Sequence, residues 1–359
     1  MGKLSHIERT AHEPRGQARH SLLIDHITQV TPTIRLFRLS VSPEDRIGFL
    51  PGQWVDLYPP QHTGIAKPGG FTLTSAPSLA SHGCGSPHLE LAVQHSPDNP
   101  VAAYLFRPAE QLLRTPVSVR IGGSFVFPPP RSGPAPLRRV VFVAGGMGVN
   151  PMMSMLSHIA ELGLCQQQQQ QQEEEEEEAE EGEEEGRNRA QFHDLEVKLL
   201  YSFKESASTP TGAAASQQAA GDGTATGGDG GRGRGGSEKD AADGRGILFL
   251  DRIAELFGSG RLNGGVQLFL TSGAGERRPA AAEGPSSPPV LASCEAGHVS
   301  VVRRRMTVRD VEEAIGSDKA SAVVYICGVP TMTDEFVQAL VSPDGLGLRK
   351  DQVLFEKWW

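Results

Sequence analysis

The chain lacks any cysteine pair with a useful spacing. Cys84, Cys165, Cys294 and Cys327 are its four cysteines, and no CxxC occurs. That removes the usual signals for a zinc site or an iron–sulfur cluster, and it points away from a disulfide framework. No apolar run approaches the ~20 residues that a membrane-spanning helix needs. The eleven histidines include no H-E-x-x-H pair, and no Ser/His/Asp arrangement stands out, so neither a metal hydrolase nor a triad enzyme is signalled. The start Met1-Gly2-Lys3-Leu4-Ser5-His6 has His6 where a myristoylation signal needs Ser or Thr. Its early arginines are mixed with Glu8 and Glu13, which makes a poor transit peptide.

Apolar residues are also scarce, at 38%. Three biased stretches account for this. Seven glutamines fill 166–172 and eleven glutamates lie in 173–185; 206–245 is mostly small and polar; 274–298 is rich in Pro, Ala, Ser and Gly. Such segments cannot bury enough surface to offset chain entropy, so 165–190, 206–245 and 274–298 are read as disordered insertions. The net charge of −9 comes from the glutamate run. The rest is near neutral, and no nucleic-acid partner is expected. Without the insertions and an N-terminal tail of residues 1–18, on the order of 250 residues remain, enough for two domains.

The first half, 19–130, reads as short strands between turns: Ser21–Ile27, Ile34–Val41, Trp54–Tyr58, Phe71–Thr74, Leu89–His95 and Val117–Ile121. Apolar and polar residues alternate in several, and Pro51-Gly52, Pro68-Gly69-Gly70 and Gly122-Gly123 punctuate them. A small antiparallel β-barrel is expected.

The second half, 137–359, alternates strands and helices, the pattern of an α/β domain with a parallel sheet. Strand Arg139–Ala144 runs into Gly145-Gly146-Met147-Gly148-Val149-Asn150-Pro151. A helix follows, with Met152, Met155, Leu156, Ile159 and Leu162 on one face. Asn150 is read as its N-cap, Pro151 as its first residue and Gly163 as its end. Strand, glycine loop and helix N-terminus suit a pyrophosphate: glycines admit the backbone close to the ligand, and free N–H groups face its charge. Further strands are expected at Leu195–Ser202, Val266–Thr271 and Ala322–Ile326, and helices at Leu248–Phe257, Val308–Ile315 and Thr331–Leu340. Cys327-Gly328-Val329-Pro330 ends a strand at the same carboxyl edge as the glycine loop, where such sheets bind ligands.

These motifs, in this order, resemble the ferredoxin–NADP reductase superfamily. Within it, His6-Ile7-Glu8-Arg9-Thr10-Ala11, Pro51-Gly52-Gln53-Trp54-Val55-Asp56 and Phe355-Glu356-Lys357-Trp358-Trp359 resemble the oxidoreductase NAD-binding domain-containing protein 1 group. The resemblance implies a flavin-binding barrel followed by an NAD(P)-binding domain. It implies hydride transfer from the nicotinamide to the flavin, then to an acceptor that the sequence does not name.

In the superfamily the flavin segment reads Arg-x-Tyr-Ser-x-x-Ser; here it is Gly69-Gly70-Phe71-Thr72-Leu73-Thr74-Ser75. By that match Phe71 packs on the flavin, and Thr72 meets the ring edge and supports catalysis. Leu73, Thr74 and Ser75 line the same segment. The arginine that grips flavin phosphate is replaced by Gly69, and the second phosphate motif, Gly-x-x-Ser, is absent, with Asn99-Pro100-Val101-Ala102-Ala103 near its place. FAD is implied, FMN stays open, and binding is expected to be weak. Gly145 to Pro151 match the pyrophosphate loop. Cys327, Gly328 and Pro330, with Met332, match the turn at the nicotinamide, where Cys327 would sit near hydride transfer. Ser202 and Lys204 follow the strand where the ribose is read. Lys204 could pair with a 2′-phosphate and Glu205 with a 2′-hydroxyl, so NADP stays open beside NAD. Trp358 or Trp359 could stack on the flavin or simply pack at the domain seam. A monomer is expected, in mitochondria by resemblance and otherwise in the cytoplasm. Two rival readings remain: an NAD-binding protein that has lost flavin and turnover, and an interaction module acting through the insertions.

Overall fold

The computed structural model describes residues 5–42, 44–81, 85–130, 135–177, 195–204, 247–271 and 297–358; from 165 to 177 it describes backbone only. Helix α1 (His6–Arg9) precedes a six-stranded antiparallel sheet. Its strands are β1 (His20–Thr31), β2 (Ile34–Ser40), β3 (Trp54–Tyr58), β4 (Gly69–Thr72), β5 (His88–Gln94) and β6 (Pro116–Gly122), in the spatial order β4-β3-β6-β1-β2-β5. A bridge between Leu73 and Leu91 joins the two edges and closes a barrel. Alternate residues fill it, among them Leu22, Ile24, Phe37, Leu39, Val55, Leu57, Leu91 and Val119. Short helices α2 (Pro100–Leu105) and α3 (Ala109–Leu112) link β5 to β6.

The second sheet is parallel and has six strands: β7 (Arg139–Gly145), β8 (Glu196–Lys204), β9 (Asn263–Thr271), β10 (Val299–Val302), β11 (Ala322–Gly328) and β12 (Val353–Lys357), ordered β10-β9-β8-β7-β11-β12. Helices α4 (Val149–Glu177) and α5 (Leu250–Gly258) cover one face, where Val140, Phe142 and Ala144 point; α6 (Val308–Ile315) and α7 (Pro330–Val341) cover the other, with Val141 and Val143. Covering on both faces explains why β11 is buried at every residue. Edge strands β10 and β12 were not anticipated, because each is too short and mixed to show a period of its own.

Two expectations fail for identifiable reasons. Gly163 does not end α4, which runs on to Glu177. Glutamine and glutamate are good helix formers, so a segment too polar for a core can still extend a helix. The stretch read as a tail is also built into the barrel from Ser5 onward. The His6 ring lies against Gly70, where a β-carbon would overlap it, and Arg15 pairs with Gly122. His6, Arg15 and Arg120 converge on fully buried Asp56, at 3.1, 3.1 and 2.6 Å. Burial works against that carboxylate, but the three partners outweigh it and hold its pKa below the ordinary range. The remainder of the insertion readings, 178–190, 206–245 and 274–296, lies outside the described residues.

Barrel and sheet share a polar seam. Ser154 Oγ on α4 donates to the Ser75 carbonyl at 2.7 Å, and Tyr325 OH on β11 donates to the Val126 carbonyl at 2.8 Å. Arg252 on α5 reaches Glu90 on β5 at 2.8 Å. Ile34, Leu36 and Ala92 on the outside of the barrel join the core of the parallel sheet, so the seam is apolar as well as hydrogen-bonded.

Candidate functional site

At the carboxyl edge of the parallel sheet, β7 runs into a single 3-10 turn, Gly146–Gly148, which leads directly into α4 at Val149. Gly146 has a left-handed φ of 54°, and a β-carbon there would meet nothing within 4 Å. This is the open position of the loop. Gly148 is different. A β-carbon on it would overlap the Cys327 carbonyl, so it is a glycine because it packs on β11, not because it leaves room for a pyrophosphate. Gly145 faces Met332, whose Sδ would lie 3.1 Å from a β-carbon, and the Gly328 Cα would be 3.6 Å away. Glycine loop and Cys327–Pro330 turn are therefore interlocked, with Met332 wedged at their junction.

Asn150 is not the N-cap. It lies inside the first helical turn, and its Nδ2 donates to the Ala92 carbonyl at 3.0 Å across the seam. Its Oδ1 is buried with no partner among the described residues. Val149 and Pro151 are buried, and Met147 packs on the core, so these residues could serve a ligand only through their backbone. No side chain caps the 3-10 turn. Free N–H groups at a helix start, with the positive end of its dipole, are what an anion uses. Pro330 opens α7, next to exposed Val329.

Beside this edge stands a cluster that the sequence reading did not assemble. Cys327 pairs in register with Glu356 across β11 and β12. The backbone N–H of Trp358 donates to the Gly328 carbonyl at 3.1 Å, and its indole N–H donates to the Glu356 carboxylate at 3.1 Å. Cys327 is fully buried. Burial first, and then the neighbouring Glu356, push its thiol well above the ordinary range, so it stays protonated and is no thiolate nucleophile. Glu356 keeps part of its surface open. Its carboxyl is nevertheless surrounded closely enough that burial, helped by Glu13 and opposed by Trp358, pushes its pKa up to about 8. A carboxyl whose pKa is raised to about 8 at the carboxyl edge of the sheet, beside the Cys327–Pro330 turn, is a candidate proton carrier. The signal was an acid two residues before a tryptophan at the end of the last strand. Trp358 is half-buried and packs on the core; Trp359 lies outside the described residues.

On the barrel, the predicted flavin segment is largely committed elsewhere. Phe71 is 7% exposed and belongs to the barrel core. Its ring lies over Gly69, 2.8 Å from where a β-carbon would stand. Leu73 fills the barrel and makes the closing bridge. Thr74 Oγ1 donates to Glu90 at 2.7 Å. Ser75 Oγ accepts from the Glu90 backbone N–H at 3.1 Å, while its carbonyl accepts from Ser154. The side chains of Leu73, Thr74 and Ser75, matched to the flavin segment by resemblance, are thus taken up in sheet closure and the seam. Thr72 differs, because its hydroxyl is buried with no partner among the described residues. Ser202 is half-buried and Lys204 exposed at the carboxyl end of β8, while Glu205 lies outside the described residues.

No family model matches the chain. Oxidoreductase NAD-binding domain-containing protein 1 of Bos taurus is 26% identical over 359 residues, covering 99% of this chain and 85% of the relative. The Danio rerio protein of that name is 35% identical over 160 residues, 45% of this chain and 55% of the relative. The resemblance read from three motifs therefore extends across the chain. Among solved structures, the CS-b5R domains of human Ncb5or in the NAD+ form superpose with a TM-score of 0.54 at 16% identity, covering 95% of this chain and 70% of that one. The ferredoxin reductase in carbazole 1,9a-dioxygenase gives 0.52 at 15% identity, with the same coverage. The fold is that of a ferredoxin reductase. In this ferredoxin-reductase fold the barrel comes first and the parallel sheet second, as in the sequence reading. Among the described residues no helix is long and apolar enough to cross a membrane, and no group of three or more His, Cys, Asp or Glu could hold a metal ion.

Proposed function

We propose that the chain is an oxidoreductase that binds a nicotinamide nucleotide and delivers its reducing equivalents through flavin to a separate electron acceptor. The observation that carries this reading is the interlocked edge: an open, uncapped glycine turn at Gly146, pressed through Gly145 and Gly148 against Gly328 and Cys327, with Glu356 and Trp358 alongside. In this reading the first turn of α4 receives the pyrophosphate through its N–H groups. The Cys327–Pro330 turn seats the nicotinamide through its backbone and exposed Val329, with fully buried Cys327 held neutral behind it. Glu356 holds or releases a proton near neutrality. Flavin, when present, supplies the two-electron acceptor. Its fit is divided: the orphaned Thr72 hydroxyl suits the edge of a polar ring, whereas Phe71 and Gly69 provide nothing for a phosphate.

NAD is the proposed nucleotide, from the likeness to proteins named for an NAD-binding domain. Lys204 leaves NADP as the competing choice. A mitochondrial site is proposed on the same likeness, and cell fractionation tests it. The decisive experiment titrates the protein with NADH and NADPH by calorimetry, then follows the flavin absorbance after anaerobic NADH addition. Saturable NADH binding and bleaching of added flavin are expected. No nucleotide binding would end the reading. Nucleotide binding without bleaching would favour a nucleotide-binding protein that has lost turnover, the reading that Gly69 supports.

A further inference from the structure

The N-terminal segment carries an acid to the seam and fixes it there. Residues 14–16 run along the end of β6. The Gly123 N–H donates to the Pro14 carbonyl at 3.0 Å, the Gly16 N–H donates to the Ile121 carbonyl at 2.9 Å, and Arg15 is tied to Asp56. Glu13 is therefore anchored at its backbone. Its tip is anchored too, because the backbone N–H and the hydroxyl of Ser124 both donate to Oε2, at 3.0 and 2.6 Å. A free glutamate samples many rotamers; held at both ends, this one keeps its charge in one place.

The loop that fixes Glu13 also rests on β11. Phe125 meets the Tyr325 ring edge-on, with centroids 5.3 Å apart, and the Tyr325 hydroxyl donates to the Val126 carbonyl at 2.8 Å. Tyr325 lies opposite Leu354, two residues before the Cys327–Glu356 pair on the same ladder. Ser124 thus sets Glu13 against the end of that ladder, where its charge reaches Glu356 across the seam. The other groups at Glu356 do not offset it. Cys327 is neutral, Lys357 is drawn away to Asp334 on α7 at 2.5 Å, and the Trp358 indole gives a hydrogen bond without a charge. The His12 ring, 3.3 Å from Glu13 Oε1, is open to solvent. Two carboxylates facing each other in a poorly hydrated seam repel, and a proton settles on the more enclosed of the two.

We propose that Glu13 is a positioning residue for the Cys327–Pro330 edge: its fixed charge, brought in by the N-terminal segment, keeps a proton on Glu356. The consequence at the nucleotide rests on the proposed function. An oxidised nicotinamide ring is a cation and a reduced one is neutral, so Glu356 favours the oxidised nucleotide only after its proton has left. The test uses the full-length chain labelled with carbon-13 at the glutamate carboxyl groups. The resonance lost in Glu356→Gln belongs to Glu356, and its titration is followed in the native chain, in Glu13→Gln and in Glu110→Gln. Glutamine still offers Ser124 an acceptor, so the segment stays docked. Glu13→Gln should lower the midpoint by about 0.5 in pH or more, a roughly threefold weaker hold on the proton. Glu110, exposed on α3, should leave the midpoint where it was. Calorimetry with NAD+ and NADH gives the second readout. The preference for NAD+ should rise about threefold or more as pH passes through the midpoint, and should rise at lower pH in Glu13→Gln. A midpoint unmoved by Glu13→Gln, or moved equally by Glu110→Gln, would overturn the inference. So would a nucleotide preference that is flat with pH. Failure of both nucleotides to bind would end the proposed function instead, and the carboxyl titration would still decide whether Glu13 governs Glu356.

Discussion

Glu356 stands beside Cys327 in the β11–β12 ladder, a carboxyl whose pKa lies at about 8 next to a thiol that burial keeps protonated. The pairing carries a stability consequence. The folded pKa of Glu356 is raised above the ordinary 4.5. Its contribution is therefore complete below pH 4.5 and is lost as pH rises through about 8. Glutamine cannot ionise, so Glu356→Gln should melt progressively higher, relative to the native chain, as pH rises from 5 to 9. Scanning calorimetry at those two pH values gives the comparison. Parallel melting curves at both would mean that Glu356 is an ordinary surface acid.

Gly146 and Gly148, two residues apart, should lose different amounts of stability to the same substitution. Gly148→Ala drives a methyl group into the Cys327 carbonyl, which cannot move without shifting β11, and should cost about 3 kcal/mol. Gly146→Ala meets open space and carries only the left-handed strain, roughly 1–2 kcal/mol. Urea unfolding of both variants measures the difference. Equal losses would sever the glycine loop from the Cys327 turn.

The strands of the barrel and the first βα unit were legible because their alternation and glycine punctuation are local. Trp54–Tyr58 and Val308–Ile315 fall where the sequence places them. What escaped depends on partners distant in the chain. Asn150 looks like an N-cap until the Ala92 carbonyl of the barrel is brought within reach. Gly148 looks like a ligand-facing glycine until β11 arrives beneath it. Glu356 is one charge among many until the ladder sets it beside Cys327. Residues 5–18 carry little apolar content, so nothing in them announced that Asp56 draws His6 and Arg15 onto the barrel.

Asp56 should therefore anchor the N-terminal segment. Asp56→Asn removes the carboxylate that Arg15, Arg120 and His6 share at a fully buried position. Breaking such a site from one side typically costs about 3–5 kcal/mol. The expected result is a large drop in melting temperature together with rapid proteolysis near Arg9 and Arg15. A variant that stays within about 1 kcal/mol of the native chain would show that Asp56 is screened by solvent.

The seam between barrel and sheet should be acid-sensitive through Glu90. Burial pushes that carboxyl up, but Arg252 and the Thr74 hydroxyl outweigh it, and the net pKa lies below the ordinary 4.5. A depressed carboxylate contributes stability above pH 4.5 and loses it as pH falls through the folded value. Glu90→Gln should thus lower the melting temperature at pH 7, where the ion pair with Arg252 is lost, and should matter less as pH falls through the lowered folded pKa, where the native carboxyl is itself neutralised. Because Arg252 lies on α5 and Glu90 on β5, the loss falls on the attachment of one sheet to the other. It should appear as separation of a single thermal transition into two at pH 7. A pH-independent deficit would assign the cost to packing around residue 90 instead of to its charge.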